Sequence, residues 1–122
     1  MVKSFRDLEV WKKAMDFAVH VYKAQQSFPD IERFGLADQL RRAVVSIPSN
    51  IAEGRGRSTA KDFIRFLAQA QGSLNEVFTQ LELACRLGYI DRGTGLYEEA
   101  TEIAKMLSSL IRSLSRLPTS KT

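Results

Sequence analysis

The segment RRAVVSIPSNIAEGRGR, residues 41–57, decides the fold of this chain, because it has helical spacing and yet carries a proline near its centre. From Leu36, just before this segment, apolar residues recur at steps of three and four, the spacing that places side chains on one face of a helix. They are Leu36, Leu40, Val44, Ile47 and Ile51. Pro48 lies inside this pattern and lacks the N–H that would bind the carbonyl of Val44, a loss of about 3 kcal/mol in a helix interior. The segment therefore predicts a helix in which groups close to the proline offset the lost hydrogen bond.

Polar residues on both sides of the proline can supply that compensation. The side chains of Ser46, Ser49 and Asn50 are placed to bind carbonyls that a bend releases. Farther along, Glu53 can form an ion pair with Arg57 if the helix continues that far. We therefore predict that the second helix is kinked at Pro48 and that a structural motif supports the bend. The motif consists of Ser46, Pro48, Ser49, Asn50, Glu53 and Gly54.

Helical patterns fill most of the chain, and no run of alternating apolar and polar residues with a hairpin turn predicts a strand. The predicted helices span about residues 7–26, 36–53, 59–87 and 94–117. Pro29, the glycines within residues 54–56, and Gly88 separate them, because proline and glycine end helices. Thr59 can cap the third helix, with Asp62 placed to complete a capping box.

The third and fourth helices each carry a heptad seam of apolar residues, which is typical of helices that pack side by side. The seam of the third helix consists of Phe63, Leu67, Ala70, Leu74, Val77, Leu81 and Ala84. The seam of the fourth consists of Leu96, Ala100, Ile103, Leu107, Leu110, Leu114 and Leu117. We predict an all-α fold, an antiparallel up-down-up-down four-helix bundle. It forms a single domain over residues 1–122, with a short disordered C-terminal tail at 118–122.

Length and composition limit the class of protein. A chain of 122 residues with 44% hydrophobic and 26% charged residues suits one globular domain. No apolar run approaches the ~20 residues that cross a bilayer, and the opening MVKSFRDLEV carries charges where a secretory signal needs apolar residues. Cys85 is the only cysteine, so no internal disulfide can form. We expect a soluble, cytoplasmic protein without a membrane partner.

A basic region follows the proline and is the main candidate binding site. The formal net charge of +4 favours anionic partners, although the excess is small. The backbone amides at the start of the third helix would also favour an anion. The candidate nucleic-acid-binding residues are Arg41, Arg42, Arg55, Arg57, Lys61 and Arg65. The alternative is a solvated basic loop that only maintains solubility. On the second helix, Arg42 can pair with Asp38 four residues before it.

The first helix has more apolar surface than one bundle needs. Its apolar arc covers more than half of the circumference, whereas a bundle helix needs a stripe of about 100°. We therefore predict a homo-oligomer that buries the surplus. The predicted interface consists of Val10, Trp11, Phe17, Val21, Phe66, Gly72 and Phe78. The alternative is a wide core in which the aromatic residues fill space and Gly72 is a tolerated defect.

Residues that could carry catalysis are scarce. His20 is the only histidine, and with Asp16 it supplies too few ligands for a catalytic zinc. Cys85 lies near a helix C-terminus, whose dipole does not favour a reactive thiolate, so we interpret it as a packing residue. The GRGR segment lacks the spacing of a phosphate-binding loop. We expect no enzyme activity, no catalytic residue, no metal and no cofactor.

Three segments resemble a known bacterial family. They are FRDLEVWKKAMDFAVHVY at residues 5–22, FPDIERFGLADQLRRAVVSIPSNIAEG at 28–54 and FIRFLAQAQGSLNEVFTQLELACRLGYI at 63–90. They resemble the four-helix-bundle proteins first found as open reading frames in intervening sequences of 23S ribosomal RNA genes. The segment SIPSNIAEG is very specific to that family.

The resemblance implies a helical bundle, a homopentamer with a central channel, and no established biochemical activity. The family is also similar to the accessory variability determinant of diversity-generating retroelements, a basic pentameric barrel that binds nucleic acid and a reverse transcriptase. Two hypotheses follow for this chain. The first is a non-enzymatic homo-oligomer that binds RNA or DNA, or a nucleic-acid-processing protein. The second is a protein-interaction scaffold without nucleic-acid binding.

Overall fold

The computed structural model describes residues 4–118 and forms four helices. They are α1 (Glu9–Ala24), α2 (Leu36–Arg55), α3 (Ala60–Arg86) and α4 (Leu96–Ser115). No strand occurs within residues 4–118, so the predicted all-helical fold is confirmed. The disordered tail predicted at 118–122 lies outside the described residues except for Pro118.

The helix ends follow the sequence signals within about two residues. The hydroxyl of Thr59 accepts a hydrogen bond from the amide of Asp62 at 3.1 Å, as the predicted capping box requires on one side. At the other end of α3, Gly88 has a φ of +78°, which glycine adopts at no steric cost. The amide of Tyr89 there donates to the carbonyl of Ala84 at 2.9 Å and closes the helix end.

Each helix packs mainly against two neighbours, α1 against α2 and α4, and α3 against α2 and α4. Between α2 and α3, the late part of one helix contacts the early part of the other. Gly54 near the end of α2 faces Phe66 near the start of α3, whereas Ser46 contacts Ser73 farther along α3. Antiparallel packing of α2 and α3 produces this order of contacts, while the up-down-up-down order of all four helices stays a prediction.

Both predicted seams lie in the core. Six of the seven residues of the α3 seam are buried, and Phe63 is half-buried. On α4 the seam is buried from Leu96 to Leu107, and it becomes more exposed toward Leu117, which follows the helix end. All five apolar residues predicted to face inward on α2 are buried as well.

The structure corrects the predicted interface on α1. Val10, Phe17 and Val21 are buried inside the single subunit, the last two completely. With Ala14 they follow the same spacing of four and three as the other seams, so they form the side of α1 that packs into the bundle. Because they are core residues, the prediction that they contact another copy is wrong.

The proline does not interrupt α2, which runs as one helix from Leu36 to Arg55. The hydroxyls of Ser46 and Ser49 donate to the carbonyls of Ala43 and Val45 at 2.8 and 2.9 Å. The side-chain amide of Asn50 donates to the carbonyl of Ser46 at 2.8 Å. The polar flank therefore binds carbonyls around Pro48 as predicted, while the kink itself stays a prediction.

Gly54 lies at a point where α2 and α3 approach each other closely. A Cβ atom added there would lie 2.7 Å from the Cβ of Phe66 and 2.9 Å from the Cδ1 of Phe63. Such distances are far below van der Waals contact, so only glycine allows the two helices to pack this closely. The last residue of the structural motif therefore positions α3 against the C-terminal end of α2.

The connector between α1 and α2, residues 25–35, is held by several side chains. Ser27 donates to the carbonyl of Tyr89 at 2.8 Å, and the hydroxyl of Tyr89 donates to Glu32 at 3.0 Å. Glu32 also accepts from the amide of Leu36 at 3.0 Å and thereby caps the start of α2. These bonds give the connector a defined conformation.

The turn between α3 and α4 is tied to α3 through Glu82. Arg92 donates two hydrogen bonds to its carboxylate at 2.8 and 3.0 Å, and Arg86 donates a third at 2.8 Å. The hydrogen bonds from Arg92 and then Arg86 lower the pKa of Glu82 from 4.5 to about 2. The charged form of Glu82 is therefore favoured in the folded protein.

This low pKa predicts a specific loss of stability in acid. The folded-state pKa lies below the unfolded value, so ionised Glu82 contributes fully above pH 4.5, and its contribution disappears as the pH falls toward about 2. We expect Glu82→Gln to destabilise the protein at pH 7, with a difference from wild type that vanishes near pH 2. Urea unfolding across this range measures the effect. Glu98→Gln, at an exposed glutamate on α4, is the control. A carboxyl resonance of Glu82 that titrates near pH 4.5 would contradict the prediction.

Candidate nucleic-acid interface

Four of the predicted basic residues meet where α2 ends and α3 begins. We call this surface the α2–α3 corner and define it by Arg55, Arg57, Lys61 and Arg65. Arg55 is the last residue of α2, Arg57 lies in the linking residues 56–59, and the other two lie in the first turns of α3. The close packing at Gly54 brings these two helix ends together. The corner therefore joins a basic surface to the exposed amides of a helix start.

An aromatic ring lies at the centre of the corner. The guanidinium carbons of Arg57 and Arg65 lie 4.7 and 4.6 Å from the ring centroid of Phe66, within the range of cation–π attraction. The half-buried ring thus holds two planar cations at an accessible surface. Guanidinium planes beside an aromatic ring are a common component of sites that bind phosphates and bases.

Carboxylates offset part of the charge of the corner. Glu53 lies 2.7 Å from Arg57, as predicted from their spacing, and Asp62 lies 3.5 Å from Arg65. These two carboxylates offset the charges of Arg57 and Arg65 in part. Both pairs are solvent-exposed, and such pairs contribute little free energy, so a phosphate can compete with either carboxylate.

The structure does not bring Arg41 and Arg42 to the corner. They precede Arg55 by 14 and 13 residues on α2, which separates them from it by about 20 Å. Arg41 binds Gln25 of the connector at 2.7 Å, and Arg42 pairs with Asp38 at 3.0 Å. Arg41 therefore supports the α1–α2 connector, and the six predicted residues do not form one site.

The described residues contain no cluster of three His, Cys, Asp or Glu side chains that could hold a metal. His20 forms a hydrogen bond of 2.8 Å with Glu99 of α4 at the surface. Cys85 is half-buried and lies in the wall of a shallow cavity with Arg92. None of the helices within residues 4–118 has the length and apolarity that crossing a lipid bilayer requires.

A second surface is an open apolar groove between α1 and α2, with a volume of about 680 Å³. Met15, Val19, Tyr22 and Val45 are each between 40% and 50% exposed and face this groove. We define the α1/α2 groove by Trp11, Met15, Val19, Tyr22, Val45 and Pro48. The surplus apolar surface predicted for α1 therefore exists, but it is carried by different residues from those named at first, apart from Trp11.

The other predicted interface residues occupy varied places. Phe66 contacts Arg57 and Arg65 of the corner, and Phe78 packs edge-on against Tyr97 with ring centroids 5.2 Å apart. Gly72 is exposed on α3, and no atom lies within 4 Å of the position of an added Cβ. A close approach of another copy at Gly72 stays a prediction.

Two further apolar residues lie in the α1–α2 connector, and sequence reasoning missed them. Ile31 and Phe34 are both 86% exposed, the highest values among the large exposed apolar residues within residues 4–118. We call this pair the apolar knob. Loops lack the periodicity that separates inward from outward residues in helices, so the sequence did not indicate their exposure. The available signal was two bulky apolar residues in a short polar connector.

Comparisons with known proteins agree on one family. The family model described as 23S rRNA-intervening sequence protein matches residues 6–109. A crystal structure of a protein of unknown function from the S23 ribosomal protein family of Bacteroides thetaiotaomicron VPI-5482 is 33% identical, with a TM-score of 0.76. The match covers 84% of this chain and 98% of that one. The comparison with curated proteins gave no match.

Proposed function

This chain belongs to the 23S rRNA-intervening sequence protein family, and from that premise we propose that it is a non-enzymatic, homo-oligomeric helical bundle that binds nucleic acid. The proposed ligand is structured RNA or an RNA–protein complex, with DNA as a weaker competitor of the same charge. The proposed contact surface is the α2–α3 corner. The proposed compartment is the cytoplasm.

The stacking of Arg57 and Arg65 on Phe66 is the observation that supports this proposal most directly. The ring fixes two guanidinium groups in an accessible position, and Lys61 and the start of α3 lie next to them. One guanidinium group can donate two parallel hydrogen bonds to the oxygens of a phosphate, and exposed amides at a helix start add further donors. Such contacts recognise the backbone of a nucleic acid rather than its base sequence.

Assembly would give this small site useful strength. The few basic residues of one corner bind a single phosphate weakly, but several copies of the corner on one particle act together on one nucleic-acid chain. The apolar α1/α2 groove supports such self-association, because soluble monomers rarely leave a large apolar surface uncovered. The resemblance implies five copies, and we adopt that number as part of the proposal.

We expect binding that falls steeply with salt and depends on the corner. Each phosphate contact contributes about 0.9 to the slope of log affinity against log salt. Lys61→Gln combined with Arg65→Gln should therefore reduce that slope by about 2 for each subunit engaged. Fluorescence anisotropy with a labelled hairpin RNA at several salt concentrations measures the slope for both proteins.

The matched control removes the same two charges elsewhere. Arg42→Gln with Lys105→Gln changes exposed residues outside the corner and should leave the slope at the wild-type value. No binding of wild type at low salt would reject nucleic-acid binding. An equal loss in both variants would assign the binding to overall charge and reject the corner as the contact surface.

A protein-interaction scaffold is the second candidate, and one observation favours it. Arg41, Arg42, Arg57 and Arg65 each lie within 4 Å of a carboxylate of their own chain. Arginines that are already paired leave less net charge for phosphates. In this case the wild-type assembly would form without RNA binding, and co-purification would recover a protein partner rather than nucleic acid.

A further inference from the structure

We infer that the apolar knob of one copy inserts into the α1/α2 groove of the next copy, so that the subunits associate head to tail. This inference rests on the homo-oligomer in the proposed function and adds which two surfaces meet. The knob is Ile31 and Phe34 of the connector, and the groove lies between α1 and α2. Both are apolar and accessible in the single subunit.

Shape favours a contact between different surfaces rather than a symmetric one. The α1/α2 groove is concave, so two identical grooves placed face to face would leave an empty space between them. A convex apolar partner fills the groove and removes both surfaces from water. Within residues 4–118 the knob is the most exposed apolar feature, which makes it the convex surface that fits.

The connector presents the knob in a fixed position. Glu32, between the two knob residues, binds both Tyr89 and the start of α2, and Arg41 donates to the carbonyl of Arg33 at 3.1 Å. The rigid backbone nevertheless leaves Ile31 and Phe34 in solvent. A preorganised loop loses little conformational entropy on binding, which increases the affinity of a small contact.

Charge supports the same pairing. Lys23 borders the groove near the C-terminal end of α1, and Asp30 precedes the knob residue Ile31. Neither residue has an ion-pair partner in its own subunit within the described range. With the knob seated, Asp30 of one copy and Lys23 of the next would lie at the same rim. An unpaired cation at the groove therefore meets an unpaired anion at the knob.

The positions of the two surfaces favour a closed ring. Tyr22 and Lys23 lie in the last turn of α1, and the connector that carries the knob begins immediately after that helix. The part of the groove near the C-terminal end of α1 and the knob thus lie at the same end of the bundle. A contact between different surfaces at the same level repeats by rotation without a large shift along the axis, which closes a ring rather than extending a filament.

The test uses two variants that each lack one surface. The knob variant carries Ile31→Asp and Phe34→Asp, and the groove variant carries Val19→Glu and Val45→Glu. All four positions are at least 42% exposed, so the subunit should keep its fold. Loss of an apolar anchor should weaken self-association at least roughly a hundredfold. Native mass spectrometry and light scattering at one concentration should then give monomers for each variant alone.

Mixing the two variants distinguishes a head-to-tail contact from a symmetric one. The knob variant keeps its groove and the groove variant keeps its knob, so the mixture should form a one-to-one complex and nothing larger. A symmetric contact would not be restored by mixing. The matched control is Leu83→Asp with Leu87→Asp, at two similarly exposed residues near the end of α3, and it should keep the mass of wild type.

The outcomes separate this inference from the proposed function. An oligomeric wild type whose mass is unchanged in the knob or groove variant overturns the inference and leaves the homo-oligomer intact. Monomeric variants that form no one-to-one complex also overturn it, as does a control that dissociates equally. A monomeric wild type rejects the homo-oligomer as well. If circular dichroism shows that the groove variant is unfolded, Val19→Gln replaces it in the same mixture.

Discussion

Gly54→Ala should lower the free energy of unfolding by about 2–3 kcal/mol, because the added methyl group would lie 2.7 Å from the Cβ of Phe66. The clashing atom is attached to the α3 backbone, so relief requires the two helices to separate. Alanine recovers only about 1 kcal/mol through its better helix propensity. For a domain of this size, the midpoint of thermal unfolding should fall by about 10 °C. Differential scanning calorimetry measures it.

Gly72→Ala is the matched control, with the opposite expected sign. Gly72 also lies inside a helix, but no atom lies within 4 Å of its added Cβ. The substitution should therefore raise the free energy of unfolding by about 0.5–1 kcal/mol. Equal effects of the two substitutions would contradict the role given to Gly54. The mass of the Gly72→Ala assembly also tests the predicted close approach, since a methyl group there would weaken it.

Phe17→Ala should cause the largest loss of stability, about 3–5 kcal/mol, because it removes a fully buried ring and leaves a cavity between α1 and its neighbours. The effect should appear as a lower midpoint of urea unfolding. This result would distinguish a core residue from an interface residue, and the sequence had suggested the second role for Phe17.

Val19→Ala provides the comparison on the same helix. Val19 is half exposed and faces the groove, so its truncation should change the free energy of unfolding of a dilute subunit by less than about 1 kcal/mol. Its effect should appear instead in self-association. If Phe17→Ala left stability unchanged and only dissociated the assembly, the placement of Phe17 in the core would be wrong.

The helices could be predicted from the sequence because periodicity and capping act locally. The seam from Leu67 to Ala84, the cap at Thr59 and the polar groups around Pro48 all depend on residues within one or two turns. Because an α-helix turns by a fixed angle per residue, this spacing places the apolar side chains on one face, which is then buried. For the same reason, the ion pairs Asp38–Arg42 and Glu53–Arg57 formed as predicted.

The faces that meet other elements were harder to predict. An apolar arc as wide as that of α1 has two sides, and only packing against α2 and α4 decides that Phe17 lies inside and Val19 outside. The basic residues of α2 looked like one cluster in sequence, yet 13 residues of helix separate Arg42 from Arg55. Gly54 was recognised as a helix stop, but its contact with Phe66 comes from a distant part of the chain.

The hydrogen bond between the hydroxyls of Ser46 and Ser73 joins α2 to α3 eight residues from Gly54. Sliding the two helices past each other by one turn, about 5.4 Å, would break that bond between the two serines. The same slide would bring a larger residue against the α3 backbone where Gly54 now lies. The serine hydrogen bond and the close contact at Gly54 therefore both disfavour shifted alignments that hydrophobic contacts alone would tolerate. These two contacts favour one alignment of α2 and α3. That alignment also determines where Arg57 and Arg65 lie relative to Phe66.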